Sequence, residues 1–166
     1  MGRKKKVDKV VAQDESLTYK GEITLTVTHG NKVIRSLRRK NTGKGPLFQY
    51  LMYCLTGTLY PNQAPKYLRV FNSDNNEITT QAIPVTGLPS YAFNDSGASA
   101  TLTFNLSSTI FTQLTDLKKF RMYSQDNVRD ISNYSAEVVL ETAETLTDGS
   151  NLIVAWKMTL SNKVGE

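Results

Sequence analysis

Residues 98–107 read ASATLTFNLS and residues 151–161 read NLIVAWKMTLS. In the first, Ala98, Ala100, Leu102, Phe104 and Leu106 alternate with Ser99, Thr101, Thr103, Asn105 and Ser107. In the second, Leu152, Val154, Trp156, Met158 and Leu160 form one set, and Asn151, Ile153, Ala155, Lys157, Thr159 and Ser161 the other. A β-strand sends successive side chains to opposite faces, so a period of two marks a strand with one face in a core. The second set of 151–161 is itself partly apolar at Ile153 and Ala155, which predicts a central strand covered in part on both faces.

The same period recurs on either side. In Gly21–Thr28, Ile23, Leu25 and Val27 alternate with polar residues. His29-Gly30-Asn31 follows as a tight turn, because Gly and Asn tolerate positive φ. A second strand over Lys32–Asn41 completes a hairpin. Tyr67–Asn72 reads as a short strand and Ser73-Asp74-Asn75-Asn76 as a turn. Glu77–Thr86 reads as a further strand that Pro84 confines to an edge, and Gly87–Gly97 as a loop rich in Gly, Pro, Ser and Asn. Leu117–Ser124 and Tyr134–Glu141 are strands, and Asp148-Gly149 turns into the last one. One segment breaks the pattern: between Pro46 and Gly57, Leu47, Leu51 and Leu55 recur every four residues beside Phe48 and Met52. Pro at the first helical position and Gly past the last turn frame a short amphipathic helix there.

About eight short strands separated by turns predict a mainly β domain. The expected form is an antiparallel β-sandwich, jelly-roll-like, with one short α-helix after the first hairpin; a closed barrel is the alternative. Residues 1–18 show no period and read as a flexible basic arm, leaving 19–166 as a single domain. A chain of 166 residues buries roughly two-thirds of its unfolded surface and needs no disulfide or structural metal to fold. The single cysteine, Cys54, rules out a disulfide within one chain. No run of apolar residues is long enough for a membrane helix. No apolar stretch follows the basic N-terminus, so a secretory signal is not expected.

The net charge of +5 is unevenly distributed. Residues 1–73 hold most of the Lys and Arg, residues 74–166 most of the Asp and Glu, and Ile23–Ser73 holds no acid at all. If that asymmetry survives folding, the molecule has a positive and a negative pole, which suits head-to-tail assembly or an anionic partner.

Catalytic parts are hard to find. His29 is the only histidine, and at a hairpin tip it is expected in solvent instead of in a Ser-His-Asp or Cys-His constellation. Cys54 reads as a small buried hydrophobe. One His and one Cys cannot make a four-ligand zinc site. Asp74-Asn75-Asn76-Glu77 lacks the spacing of a calcium loop and reads as a surface turn. Gly43-Lys44-Gly45 lacks the full phosphate-loop pattern. No enzyme activity, cofactor or metal is therefore expected. What remains is basic: the cluster Arg3, Lys4, Lys5 and Lys6 in the arm, and Arg35, Arg38, Arg39 and Lys40 on the second strand. On a strand Arg35 and Arg39 share one face, Arg38 and Lys40 the other. Such groups contact phosphates or a protein partner, although no aromatic side chains interleave with them to stack bases.

The run GEITLTVTHGNKVIRSLRRKNTGKGPLFQYLMYCLTG over 21–57 resembles the opening of many small virion proteins of tailed bacteriophages: a Gly-led strand, a tight turn, a second strand ending near Asn, and a short helix ending in Gly. The closing DGSNLIVAWKMTLSN, with Trp156 between alternating apolar residues, resembles their last strand, and LKKFRMYSQDN, with Met122-Tyr123-Ser124, their strand-to-loop passage. The basic arm is not part of that pattern. The resemblance implies a structural protein of the virion, made in the host cytoplasm, accessory to the capsid or belonging to a head fibre, collar or tail. It implies docking to other virion proteins such as the capsid, self-assembly into a homo-oligomer, and an arm that reaches a neighbouring subunit or packaged DNA, with no membrane involved. Two other readings stand beside it: a nucleic-acid-binding β-domain that uses the arm, and a carbohydrate-binding or adhesive module with Tyr60, Tyr67 or Tyr91 as stacking surfaces.

Overall fold

The computed structural model describes residues 16–43, 64–94, 97–125 and 133–163. Among them, nine strands follow one another: β1 (Ser16–His29), β2 (Lys32–Gly43), β3 (Tyr67–Phe71), β4 (Ile83–Pro84), β5 (Ser90–Asn94), β6 (Gly97–Ser107), β7 (Leu117–Tyr123), β8 (Ala136–Glu144) and β9 (Ser150–Lys163). They hydrogen-bond in the order β4-β3-β7-β8-β2-β1-β9-β6-β5, antiparallel throughout. This row folds over into two sheets: β2-β1-β9-β6-β5 and β4-β3-β7-β8. Only the last residues of β2 cross between them, Thr42 and Gly43 pairing with Glu137 and Ala136 of β8. At the opposite seam the Thr86 amide donates to the Thr103 carbonyl at 2.6 Å, and the Asn105 amide donates to Thr86 Oγ1 at 3.2 Å. The layers are thus tied on both sides, as in a β-sandwich.

The register explains the core. Ile23, Trp156 and Leu102 lie on one rung across β1, β9 and β6; Leu25, Val154 and Phe104 on the next; Val27, Leu152 and Leu106 on the third. All nine are buried and pack with Leu68, Val70, Phe120, Met122, Val138 and Leu140 of the second sheet. Each such side chain contributes roughly 1.5–3 kcal/mol on burial. A slip of one residue would turn every rung outward, so the apolar alternation sets the register. The β1–β2 turn is Gly30-Asn31, with Gly30 at φ +56, a conformation that suits the first central position of a tight hairpin turn. A bulge between Val27 and Thr28 leaves Ile34 unpaired on β2, and Val33 and Ile34 are exposed there.

The outer face of the second sheet has a polar lock. Arg121 is buried on β7, between the rings of Phe71 and Tyr134 at 4.5 and 4.7 Å. Its Nε donates to Glu137 Oε2 at 2.7 Å and its Nη2 to Asn75 Oδ1 at 2.6 Å. Beside it Arg69 Nη1 reaches both Glu77 carboxylate oxygens, at 2.7 and 2.8 Å. A buried guanidinium is tolerated when paired in this way, and the pairs hold the 72–77 turn against the sheet. Tyr123, fully buried on the same strand, has its phenol pKa pushed up to about 12, chiefly by burial.

Several expectations shift. β1 reaches back to Ser16, because Ser16, Leu17 and Thr18, read as the end of the arm, pair with Lys163, Asn162 and Ser161. The strand expected over Glu77–Thr86 shrinks to Ile83–Pro84 at the sheet edge plus two isolated bridges, Phe71 with Glu77 and Thr79 with Phe111. The loop expected over Gly87–Gly97 contains a strand, β5, created by pairing with β6. Helical structure among the described residues is one 3-10 turn, Ser108–Ile110; the helix expected over Pro46–Leu55 lies outside the described residues.

Candidate docking surface

The alternation that builds the core runs on beyond it. Phe93, Ala98, Leu160 and Tyr19 form one further rung across β5, β6, β9 and β1, and Tyr91, Ala100, Met158 and Gly21 the next. These side chains stand on the core side of the first sheet, where the second sheet no longer covers it. Ala98 and Ala100 keep the floor low, while Pro65, Val85 and Pro89 supply an opposing wall. The result is an open, mostly apolar groove of about 440 Å³. The Tyr19 hydroxyl at its end donates to Asn41 Oδ1 at 3.5 Å, and burial pushes its pKa up against the lowering effect of that bond.

One rim of the groove is unusually bare. Tyr91 is 63%, Phe93 77% and Leu88 95% exposed, and the two rings stack at 6.3 Å with 17° between their planes. β5 is the last strand in the row, so among the described residues its outer line of backbone N–H and C=O groups has no strand partner. Natural sheet edges are usually blunted by Lys, a bulge or an inward charge. Gly87–Asn94 carries no charge at all; Pro89, just before the strand, is the only such device. Contiguous exposed apolar surface of this kind marks an interaction site.

A second surface lies on the opposite face of the same sheet. Lys40, Glu22 and Lys157 share a rung, and Lys20 lies across from Thr159 on the next outward-facing rung. Arg38 Nε meets Glu22 Oε2 at 2.6 Å, which holds the guanidinium pKa above its ordinary value. Three lysines therefore surround one satisfied ion pair. The first sheet is the basic one: β1, β2 and β9 carry Lys20, Lys32, Arg35, Arg38, Arg39, Lys40, Lys157 and Lys163 against Glu22 alone, whereas in the second sheet Arg69, Lys118, Lys119 and Arg121 are offset by Glu137, Glu141 and Glu144.

Of the basic residues singled out in the sequence, Arg38 and Lys40 are on this outer face. Arg35 and Arg39 are in register with Val27 and Ile23 and so lie on the side that faces the other layer. There Arg35 pairs with Glu144 of β8, and Arg39 Nη1 donates to the Arg38 carbonyl at 2.9 Å. The strand period divides the cluster, and the register supplies Lys20 and Lys157, which stand far from it in sequence. Arg3, Lys4, Lys5 and Lys6 lie outside the described residues, as do Cys54 and Tyr60. His29 is exposed at the hairpin end. In the Asp74–Glu77 turn, Asn75 and Glu77 engage Arg121 and Arg69, and no group of three His, Cys, Asp or Glu that could hold a metal occurs among the described residues. Tyr67 is half-buried on β3, with Lys66 Nζ 5.8 Å above its ring. No helix of the described residues is long and apolar enough to cross a membrane. No protein-family model, curated protein or solved structure matches the chain.

Proposed function

We propose that this chain is a structural protein of a tailed-phage virion, an accessory capsid or head-associated component that acts by docking to neighbouring virion subunits. The observation that carries the reading is the uncharged, aromatic edge at β5 beside an open apolar groove, because a protein that works by assembly needs adhesive surface on a rigid frame. The sequence resemblance supplies the virion, and the jelly-roll-like sandwich with a short helix after the first hairpin is the form that resemblance implies. The basic outer face and the arm add a second contact, toward acidic neighbours or packaged DNA, and this favours nucleic-acid binding as the second reading. The test is mass spectrometry of purified particles of the encoding phage, with sedimentation of added recombinant chain. Peptides present at structural abundance and co-sedimentation are expected. A chain absent from washed particles and left in the supernatant overturns the proposal.

A further inference from the structure

Resting on that assembly reading, we infer that β5 pairs antiparallel with β5 of a second copy of this chain, about a two-fold axis through Ala92, so that the two first sheets join into one. The strand is self-complementary in that register. An axis at Ala92 sets Tyr91 opposite the partner's Phe93 and Phe93 opposite the partner's Tyr91. Aromatic side chains meet on the core side of the sheet, and the two copies of Ala92 meet on the outer side. Cross-strand aromatic pairs are among the stabilising ones in sheets, and a two-fold interface requires this kind of self-match.

Charge and geometry agree with the same partner. β5 and β6 contain no Lys, Arg, Asp or Glu, so two copies approach this edge without like-charge repulsion, although the rest of the sheet is basic. A five-residue strand is too short to hold a dimer by backbone bonds alone, since stable interfaces bury on the order of 1,000 Å² or more. The axis also brings the two grooves side by side, with Tyr91 and Phe93 of each copy at the shared rim, so apolar surface is covered on both. An acidic or basic partner strand would gain none of this.

The test uses the full chain with its only cysteine replaced, Cys54→Ser, and Ala92→Cys added. Residues directly opposite in an antiparallel pair have Cα atoms about 4.5 or 5.5 Å apart, inside the range that a disulfide spans. Light scattering is expected to give a dimer, and mild oxidation to give a covalent dimer through Cys at 92, whereas Ser36→Cys on the opposite outer edge stays uncrosslinked. Tyr91→Lys with Phe93→Lys, checked for retained fold by circular dichroism, is expected to raise the dimer dissociation constant at least about tenfold. A monomer at all concentrations, or a dimer that does not crosslink at position 92, overturns the inference. Either result leaves the virion reading standing where the chain still sediments with particles; loss of sedimentation with an intact crosslinked dimer overturns that reading alone.

Discussion

Trp156 shows most plainly what one residue does here. It is fully buried on β9, on the rung between Ile23 and Leu102, and among the described residues its Nε1–H has no acceptor. The indole is therefore held for its volume, at the cost of a desolvated donor. Trp156→Ala is expected to destabilise the fold by about 3–5 kcal/mol. Trp156→Phe is expected to cost less than half of that, because the ring is largely kept and the penalty of an unpaired N–H, about 1–3 kcal/mol, is removed. Urea denaturation followed by circular dichroism reads both. Equal losses for Ala and Phe would overturn the reading that the indole is held for its volume. Asp116 behaves differently: at φ +60 it accepts from the Ser73 amide at 3.0 Å and from the Ser73 hydroxyl, and these bonds hold its carboxyl below the usual range.

At the scale of elements, β6 is the strand on which the docking surface depends. It pairs with β9 over its whole length and carries β5 on its other side. Gly97 opens it, and a Cβ there would stand 2.1 Å from the Leu160 carbonyl oxygen and 2.9 Å from the Ser161 Cα. Both are backbone atoms, so the strands themselves must part. Gly97→Ala is expected to cost about 1–3 kcal/mol as overpacking and to loosen the Phe93–Ala98–Leu160 rung at the groove. Thermal melting reads the loss, and hydrogen exchange of the β5 and β6 amides reads its location; unchanged protection there would place the strain elsewhere. β5 itself was hidden by its surroundings. Tyr91 and Phe93 do alternate, yet five residues flanked by Gly87, Pro89, Asp95 and Gly97 look like loop composition. The strand exists because β6 offers an edge, which no local signal encodes.

For the whole molecule, folding converts a difference between chain halves into a difference between layers. The acidic second half contributes β6, which is uncharged, and β9, which adds Lys157 to the basic sheet, while among the described residues Glu137, Glu141 and Glu144 of β8 and Asp74, Glu77 and Asp116 of the turns lie with the other sheet, beside Lys118, Lys119 and Arg121 of β7. Lys20, Lys40 and Lys157 then form one basic face. If that face meets nucleic acid, binding of a single-stranded oligonucleotide is expected to weaken steeply between about 50 and 200 mM salt. Lys20→Ala with Lys40→Ala and Lys157→Ala is expected to flatten the salt dependence by roughly 0.7 in slope for each phosphate that is no longer neutralised. A slope unchanged by the triple variant removes this face from the interface with nucleic acid, and no binding at low salt removes the second reading.

By itself the sequence determined the strands with a clean period of two, β1, β6, β8 and β9, the tight turn at Gly30, the edge position of Pro84 and the division of Arg35 and Arg39 from Arg38 and Lys40. All of these follow from local geometry: alternation across the pleat, the missing Cβ of glycine, the missing amide hydrogen of proline. Only the tertiary structure decided that β9 lies between β1 and β6, that Lys157 joins Lys20 and Lys40, that Glu144 takes Arg35, and that the apolar rungs outrun the second sheet to leave a groove with an aromatic edge. Those depend on which strands pair and how far each sheet extends. Pairing between distant segments is set by the packing of the whole core, which alternation in any one segment does not specify.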